Sequence, residues 1–597
     1  MCGINLIVNY PEKGEKGIQK MMEATRHRGP DHSNWKMVSP NLMLASNRLK
    51  TIDLNSWSNQ PLCLDDGQIF LAWNGAIYNY ENLRNRLLDK AVTFESRSDS
   101  EVLLRWIQHF GTKGLQELEG MFAIAFLDKA NRQLIIARDP HGKKPLYYHK
   151  QENKWLFSSE ARAIATSGLI HKSLNESQFL PFFYYRHAFP DQSFFRNIHQ
   201  FHAGEFWKMN FEGKILEKGS LEIKKTEIPL PNKNKFRELL LDALLKQGFA
   251  DVPVGILLSG GADSSLLLDI WHEETGIPLH TFTATFEAKY LSQYQDPKYA
   301  SWVSKKYHGE HHEICITPES ILENWSSYIK DLDQPIGDSA GFISWMIARE
   351  AKKTVKILLG GAGADELFSG YNRHKAYRYY LQNKKWLTSF GSKGEWLPLG
   401  RRFKKFLNAL SASEQITYLN FSALQNIPEK SRGLFEAYYP NEKDPYLSAL
   451  EWDRQFYLPN DVLKIHDNAL MAHGIEGRAP YLDGALLSLS RSLSEAQHLS
   501  LEPKQWIREL LEDVGLKKVS KRKKLGFGLP IREWLESHSE FKRMVFGEIK
   551  AFENQFGELF PDDMRTLSKN PESHLKDSFL QIWNVFVLAS WIRIHQL

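Results

Sequence analysis

Hydrophobic and polar residues alternate over short distances through roughly the first 210 residues of the chain. Runs rich in β-branched and aromatic residues are separated by Gly, Pro, Asn and Asp, a pattern that predicts strands. We predict strands at 4–8, 42–46, 69–73, 122–127, 134–137, 146–149 and 155–158, and helices at 17–26, 80–90 and 100–110. Sheets packed against helices would give this part an α+β fold.

The pattern changes after residue 212. Apolar periodicity fades over 213–234, which is rich in Lys and Glu and contains two prolines, so we predict a linker there. Helices at 236–247, 264–274 and 299–307 then alternate with strands at 254–258, 280–286, 312–316 and 355–359. This alternation predicts a doubly wound parallel sheet in an α/β domain spanning 235–597. From about residue 371 onward the spacing is helical and includes a buried helix at 579–594.

Composition narrows the class of protein. The 597 residues are 42% hydrophobic and 25% charged, with a net charge of +5, which is typical of a globular chain of several domains. So small a net charge gives no reason to expect a nucleic-acid partner, and the apolar runs are too short for a membrane partner. Cys2, Cys63 and Cys315 lack paired metal spacing, and such sparse use of cysteine is typical of the cytoplasm.

Cys2 directly follows Met1, and removal of Met1 would leave a thiol beside a free α-amino group. An α-amine with a pKa of about 8 can accept the thiol proton, so an N-terminal nucleophile carries its own base. On its own, such a cysteine is more often a small buried side chain. The blocks that follow in the sequence favour the catalytic alternative.

Six blocks resemble, in order and spacing, the glutaminase domain of the class II, or N-terminal nucleophile, glutamine amidotransferases. They are 26–31 (RHRGPD), 48–53 (RLKTID), 74–79 (NGAIYN), 98–101 (SDSE), 120–123 (GMFA) and 138–148 (RDPHGKKPLYY). The resemblance covers residues 1–212 and implies the αββα sandwich of that family. An Asn-Gly pair standing alone would instead be typical of a hairpin turn.

The resemblance assigns roles to five residues. Cys2 would attack the glutamine side-chain amide, and Asn74 and Gly75 would supply the donors that stabilise the resulting oxyanion. Arg48 would bind the glutamine α-carboxylate through a bidentate fork, and Asp99 would bind the α-ammonium group, with Asn74 also counted among the glutamine-binding residues.

A glycine-rich segment lies between a predicted strand and a predicted helix. Residues 259–265 (SGGADSS) place backbone N–H groups at a helix N-terminus, which favours anions, although the Gly-Lys-Ser/Thr ending of a Walker A loop is absent. The segment resembles the pyrophosphate loop of the N-type ATP pyrophosphatases. Further blocks agree: 281–287, 310–313, 333–339, 359–371, 476–483 and 524–530. Together with the first half, the chain resembles the glutamine-hydrolysing asparagine synthetase family from end to end.

That resemblance implies ATP and Mg²⁺ as cofactors. Asp263 and Asp365 would hold Mg²⁺, an ion that prefers hard oxygen ligands. Lys524 would interact with the negative charge that develops on the phosphates. Alternatively, it is one more solvated lysine of the basic run 521–524. The adjacent pair His311 and His312 suggests a metal, but neighbouring strand residues face opposite ways, so we assign none there. The expected ATP-binding residues are Leu258, Ser259, Gly260, Gly261, Asp263, Ser264, Phe286, Gly360, Gly361 and Lys524.

The chain departs from the family pattern at a few positions. Asparagine synthetases usually carry Glu where this chain has Ala76, and this difference affects the expected glutamine affinity. They usually carry Ser-Gly-Glu/Asp-Gly where this chain has residues 360–363, so Ala362 replaces an acidic residue. Gln334 and Asn468 replace a usual Glu and Arg. These changes leave the acceptor open.

Three functions remain compatible with the sequence. The first is ATP-consuming amidation of aspartate to asparagine through an acyl-adenylate, with glutamine as nitrogen donor and with release of glutamate, AMP and pyrophosphate. The second is amidation of another carboxylate, such as a uronic acid in surface-polysaccharide biosynthesis. The third is a degenerate, non-catalytic binding subunit. The sequence leaves open whether the chain forms a homodimer.

Overall fold

The computed structural model describes residues 2–65, 67–223, 228, 231–390, 401–522 and 528–597. The strands are β1 (Cys2–Val8), β2 (His32–Ser39), β3 (Leu42–Arg48), β4 (Leu62–Leu64), β5 (Ile69–Ile77), β6 (Gly120–Asp128), β7 (Gln133–Arg138), β8 (Tyr147–Gln151), β9 (Lys154–Ser158), β10 (Ile198–Gln200), β11 (Glu205–Asn210), β12 (Ile215–Ser220), β13 (Val254–Leu257), β14 (His280–Thr285), β15 (Glu310–Cys315), β16 (Ile357–Leu359) and β17 (Glu476–Arg478).

The helices fall into two groups along the chain. The first group lies within the part of the chain that forms the first twelve strands: α1 (Gly14–Ala24), α2 (Tyr80–Leu88), α3 (Asp99–Gly114), α4 (Ala161–Ala165) and α5 (Phe179–Tyr185). The others are α6 (Lys233–Gly248), α7 (Ala262–Thr275), α8 (Asp296–Lys306), α9 (Pro318–Asp331), α10 (Ala340–Ala351), α11 (Ala364–Leu367), α12 (Asn372–Phe390), α13 (Arg401–Asn408), α14 (Glu414–Ser422), α15 (Glu429–Glu436), α16 (Pro445–Trp452), α17 (Leu463–Met471), α18 (Gly484–Ser492), α19 (Glu495–Ser500), α20 (Gln505–Asp513), α21 (Lys517–Ser520), α22 (Ile531–Ser537), α23 (Ser539–Phe556), α24 (Arg565–Lys569) and α25 (Leu575–Ile594).

Two antiparallel sheets face each other in the first part of the chain. Their strand orders are β10-β8-β9-β1-β3-β2 and β12-β11-β7-β6-β5-β4. Leu6 of β1 and Ala72 of β5 share the apolar core between the sheets. The outer face of the first sheet packs against α1 and α4, and that of the second against α2 and α3. These four layers confirm the predicted αββα fold.

A parallel sheet with the order β15-β14-β13-β16-β17 follows. Leu358 of β16 packs into the core that contains α10, whereas the next residue, Leu359, packs into the core that contains α6 and α7. Helices therefore cover both faces, which confirms the doubly wound α/β prediction. Strand β17 was missed because its three residues, Glu, Gly and Arg, form no apolar run.

The final part is helical, as expected. α25 is buried along most of its length, and none of the helices in the described part of the chain is both long and apolar enough to cross a membrane. α16 and α17 are joined by a π-helix at Asp453–Val462 that contains Pro459, a residue that has no N–H for regular helical bonding.

The predicted linker at 213–234 differs from the structure. Residues 215–220 form β12, which pairs with β11 at the edge of the second sheet, and α6 already begins at Lys233. The strand was missed because an edge strand can be largely polar; Lys218 Nζ, for example, lies 4.2 Å from the Trp207 ring centroid. Residues 224–227, 229 and 230 lie outside the described residues. The domain boundaries themselves stay a prediction.

Candidate functional site

Cys2 is the first residue of β1, in the middle of the first sheet, and it pairs with Arg48 of β3 in the antiparallel register. The side chain is 5% exposed. Burial raises the pKa of the Cys2 thiol, so a thiolate would need a nearby base. The structure therefore buries the predicted nucleophile almost completely.

Asn74 and Gly75 lie on β5 in the opposite sheet. The Cys2 N–H donates to Asn74 Oδ1 at 2.9 Å, while Asn74 Nδ2 is buried without a hydrogen-bond partner. At Gly75 a Cβ atom would overlap the Met121 carbonyl oxygen of β6, so a larger residue would force the two strands apart. An unpaired amide donor beside a buried thiol is what stabilisation of an oxyanion requires.

Arg48 is held tightly by the segment that follows β3. Its Nη1 donates to Asn55 O and Asn59 Oδ1, both at 3.0 Å, and its Nη2 donates to Ile52 O at 3.2 Å and Asp53 O at 2.6 Å. Four of the five guanidinium N–H groups are thus bound to protein oxygens. A bidentate contact with a carboxylate would have to replace some of these bonds.

Asp99 begins α3, after the N-cap Ser98, whose Oγ accepts the Ser100 N–H. Its carboxylate accepts the Ile77 N–H at 3.4 Å. Burial raises the pKa of Asp99 to about 6, because one weak hydrogen bond does not replace lost water. Ala76, buried on β5 beside Ile77, adds no polar group here.

Gln60 is a polar neighbour of the thiol that the sequence analysis missed. Its Nε2 donates to Cys2 Sγ at 3.6 Å, and its Oε1 accepts the Trp73 N–H at 2.8 Å. The residue stands outside the recognised blocks, and nothing in its local sequence marks it. The contact arises because Gln60 lies between β3 and β5 in the chain, and residues of both strands, Arg48 and Asn74, lie next to Cys2.

The glycine-rich segment forms a compact loop between β13 and α7. Ser259 Oγ accepts the Gly261 N–H and Ser264 Oγ accepts the Ser259 N–H, each at 3.3 Å. At Gly260, φ is +66° and a Cβ atom would lie 2.6 Å from the Ala300 nitrogen, so this turn requires glycine. The loop meets the N-terminal end of a 14-residue helix, where the helix dipole favours an anion.

Asp263 and Asp365 converge on one cation, Lys504, which the sequence analysis also missed. Lys504 Nζ lies 2.6 Å from an oxygen of each carboxylate, and the two carboxylates raise the pKa of Lys504 despite its burial. Asp263 Oδ1 is buried without a hydrogen-bond partner. Two converging carboxylates with a spare oxygen fit Mg²⁺, which takes one or two carboxylates together with phosphate oxygens and water.

The other residues expected to bind the nucleotide lie at the C-terminal ends of the parallel strands. The Leu258 N–H donates to Phe282 O at 2.9 Å and the Gly360 N–H to Arg478 O at 2.9 Å. A Cβ atom on Gly361 would lie 3.0 Å from Asp263 Cβ, so the loops after β13 and β16 touch. Phe286 directly follows β14, at the same end of the sheet. Lys524 lies outside the described residues.

Buried charges join the two halves of the chain. Arg28 is fully buried and donates from Nη2 to Asp467 Oδ2 at 2.7 Å and from Nη1 to Glu160 Oε1 at 3.2 Å. Burial alone would lower the pKa of Arg28, but the two carboxylates raise it overall. Asp467 belongs to α17, so this ion pair connects the cysteine half to the helices beside the parallel sheet.

The family departures lie in different surroundings. Ala362 packs against an apolar cluster that includes Leu458 and Leu482. Gln334 is buried, and its Oε1 accepts the Phe194 N–H at 2.7 Å, so its side chain joins the two halves. Asn468 lies on α17, partly exposed, next to Asp467.

The fold and the two sites define a class of protein: an αββα amidotransferase half with a buried cysteine near its N-terminus, joined to an α/β half with an anion-binding loop and paired carboxylates. The chain belongs to the asparagine synthase family of carbon–nitrogen ligases. The asparagine synthase family model matches residues 235–593, and the glutamine amidotransferase domain model matches residues 1–218.

The chain is similar to other proteins in different degrees. The chain is 27% identical to asparagine synthetase [glutamine-hydrolyzing] 1 of Bacillus subtilis, with 100% of this chain and 97% of the relative covered. It is 31% identical to putative asparagine synthetase [glutamine-hydrolyzing] 2 of Methanocaldococcus jannaschii, over 69% of this chain and 82% of that protein. The glutamine phosphoribosylpyrophosphate amidotransferase structure from B. subtilis is 14% identical with a TM-score of 0.27, covering 60% of this chain and 82% of that one.

Proposed function

We propose that this protein is a glutamine-dependent synthetase that converts aspartate to asparagine, with release of glutamate, AMP and pyrophosphate. Residues 1–212 would release ammonia from glutamine, and residues 235–597 would activate the acceptor carboxylate with ATP. The observation that carries the proposal is the unpaired Asn74 Nδ2 beside the buried Cys2, since a structural Asn-Gly turn would have no use for an orphaned donor.

At the first site, Cys2 would attack the glutamine amide after its α-amine, freed by removal of Met1, accepts the thiol proton. Asn74 Nδ2 and the Gly75 N–H would donate to the oxyanion. Asp99 would pair with the substrate ammonium, and Arg48 would donate to its carboxylate in place of loop oxygens. Gln60 would keep the thiol oriented through its 3.6 Å contact.

At the second site, the loop from Ser259 to Ser264 would bind the pyrophosphate portion of ATP, and Leu258, Phe286, Gly360 and Gly361 would surround the rest of the nucleotide. Asp263 and Asp365 would hold Mg²⁺, which supplies neutralisation of phosphate charge when bound. Lys524 would contact the phosphates. An acyl-adenylate formed there would be attacked by ammonia, which leaves an amide and AMP.

A second acceptor class has one specific observation in its favour. The side chain at 362, where relatives of this family usually place an acid, is an alanine among leucines. An apolar wall of this kind would not orient ammonia or an amino-acid ammonium group, and it favours a carboxylate substrate without an ammonium group, such as a uronic acid.

The three free cysteines support a reducing compartment, so we place the reaction in the cytoplasm.

The experiment is mass spectrometry of the products formed by full-length protein lacking Met1. It receives ATP, MgCl₂ and aspartate with either glutamine or ammonium chloride, and the Cys2→Ser variant is run in parallel. We expect asparagine and AMP from both nitrogen donors in the wild type, and from ammonium chloride alone in Cys2→Ser. Cys315→Ser, which changes an exposed thiol, is the matched control and should behave as wild type.

Other outcomes identify the alternatives. Glutamate without asparagine or AMP would reject aspartate, and the same assay with uronic acids would then test the second acceptor class. Protein that releases no glutamate and forms no AMP with any acid would support a non-catalytic binding subunit.

A further inference from the structure

A cluster of metal-ligand side chains lies on the parallel sheet at the end opposite the glycine-rich loop. His280 is the first residue of β14, and Glu310 and His312 are residues 1 and 3 of β15. The parallel register pairs His280 with Glu310 and Phe282 with His312, so the three side chains project from one face of the sheet. His280 is level with Gly255 of β13, and the loop begins four residues later at Ser259, so His280 lies about 13 Å from the loop along the strand direction.

The spacing of the ligand atoms matches a tetrahedral ion. His280 Nδ1 and His312 Nε2 are 3.2 Å apart, and each lies 3.5 Å from an oxygen of Glu310. Two ligand atoms bound to zinc at about 2.0–2.1 Å with tetrahedral angles are roughly 3.3–3.4 Å apart. The three groups therefore stand at nearly the separations that one zinc-sized ion would impose.

The surroundings favour a metal over a chance cluster of polar residues. The His312 ring stacks on Phe282 with centroids 4.7 Å apart and an interplanar angle of 11°, which limits its rotation. The side chains of His280 and His312 are only 30% and 28% exposed, while Glu310 is 66% exposed, so solvent reaches the cluster from one side. Water can then complete the coordination of an ion.

We propose that His280, Glu310 and His312 bind one divalent first-row transition metal ion such as Zn²⁺. Imidazole nitrogens select such ions over Mg²⁺, which prefers oxygen, so this site is chemically distinct from the carboxylates Asp263 and Asp365. β15 is the edge strand of the sheet, and an ion bound by residues of both β14 and β15 would fasten this edge. The proposal does not depend on the amidation reaction.

The sequence analysis rejected a metal at the adjacent pair His311 and His312, and the structure agrees that these two rings do not share a site. His311 faces the other side of the sheet, where its Nδ1 lies 2.8 Å from Thr281 Oγ1 and its Nε2 3.5 Å from Glu313 Oε1. The missing partner of His312 was His280, which is 32 residues away in the chain.

The test is calorimetric titration of the full-length protein with zinc chloride in the presence of excess MgCl₂, which occupies oxygen sites. We expect one zinc ion per chain in the wild type, and a Kd at least about tenfold weaker in His312→Ala and in Glu310→Gln, because even outer-shell changes at zinc sites cost 10–100-fold. The matched control is His311→Ala, whose imidazole lies on the opposite face and whose loss should leave the Kd unchanged.

Two further readouts separate binding from folding. Zinc should raise the thermal midpoint of the wild type and of His311→Ala but not of Glu310→Gln, whose exposed side chain makes misfolding an inadequate explanation. Cobalt chloride should give visible absorption bands typical of four-coordinate ions. These bands should be lost in His312→Ala and Glu310→Gln. Equal zinc affinity in the wild type, His312→Ala and Glu310→Gln, or loss of binding in His311→Ala, would overturn the proposal and leave a hydrogen-bonded histidine pair.

Discussion

Single residues at the cysteine site differ in how their charge is compensated. Arg48 has four N–H groups bound to loop oxygens, whereas Asp99 accepts one backbone N–H at 3.4 Å and burial raises its pKa to about 6. The site without substrate therefore contains a carboxyl group that changes charge just below neutral pH. A bound ammonium group would stabilise its ionised form.

We expect glutamine affinity to fall as the pH drops through about 6. Below that pH Asp99 is protonated and no longer attracts the α-ammonium group, so the KM for glutamine should rise roughly tenfold per pH unit. The ammonia-dependent reaction is the control. Its KM, calculated for NH₃ rather than for total ammonium, should stay constant. Steady-state kinetics between pH 5 and 8 would measure this. Asp99→Asn should show a high KM that is independent of pH; a flat KM in the wild type would rule out this role.

At the scale of elements, one side chain connects three parts of the second half. Lys504 immediately precedes α20, and its Nζ contacts Asp263 on α7 and Asp365 on α11 at 2.6 Å each. Its own N–H donates to Phe368 O at 3.0 Å. The ammonium thus holds together the loops after β13 and β16, where two carboxylates would otherwise repel each other.

Lys504→Met should lower the thermal midpoint by several degrees, because removing one partner of a buried ion pair costs about 3 kcal/mol or more. MgCl₂ with ATP should recover part of the loss, since a divalent cation neutralises the same two carboxylates. Differential scanning fluorimetry with and without MgCl₂ and ATP measures both effects. Lys517→Met, at an exposed position of α21, is the control; an equal effect of MgCl₂ and ATP on both variants would refute the prediction.

At the scale of the whole molecule, the two halves meet through buried charge as well as apolar surface. Arg28 bridges Glu160 and Asp467, with side chains 0%, 3% and 4% exposed. Gln334 adds a hydrogen bond to the Phe194 backbone. We expect these interactions to favour one relative arrangement of the halves, because separating the partners would leave buried charges unpaired.

Arg28→Met should destabilise the protein by roughly 3–5 kcal/mol, since it removes the cation in direct contact with buried Asp467 and leaves only Lys144 Nζ, 3.9 Å away. Adding Asp467→Leu should restore part of this loss, which double-mutant thermal unfolding measures. We also expect the single variant to release more glutamate per amide formed, because the two sites lose their fixed arrangement. Arg26→Met, with a side chain 67% exposed, is the matched control. Strictly additive effects of the Arg28 and Asp467 changes would contradict the pairing.

Features that depend on local order along the chain were predictable before the structure was known. The spacing of apolar residues predicted an α+β first part and the parallel sheet. The family resemblance of the ordered blocks implied the αββα sandwich and pointed to Cys2, Asn74, Asp99, Asp263 and Asp365. Prediction from the sequence failed where the signal was weak, at the polar edge strand β12 and at the three-residue strand β17.

Only the tertiary structure brought together residues that are far apart in the chain. Lys504 and Asp263 are separated by 241 positions, and Cys2 and Gln60 by 58. The physical reason is that a hydrogen bond or ion pair depends on distance in space, and burial, which raises the pKa of Asp99 and of the Cys2 thiol, is a property of the packed molecule. Residue type supplies the chemistry, and packing decides which groups meet and how strongly water is excluded from them.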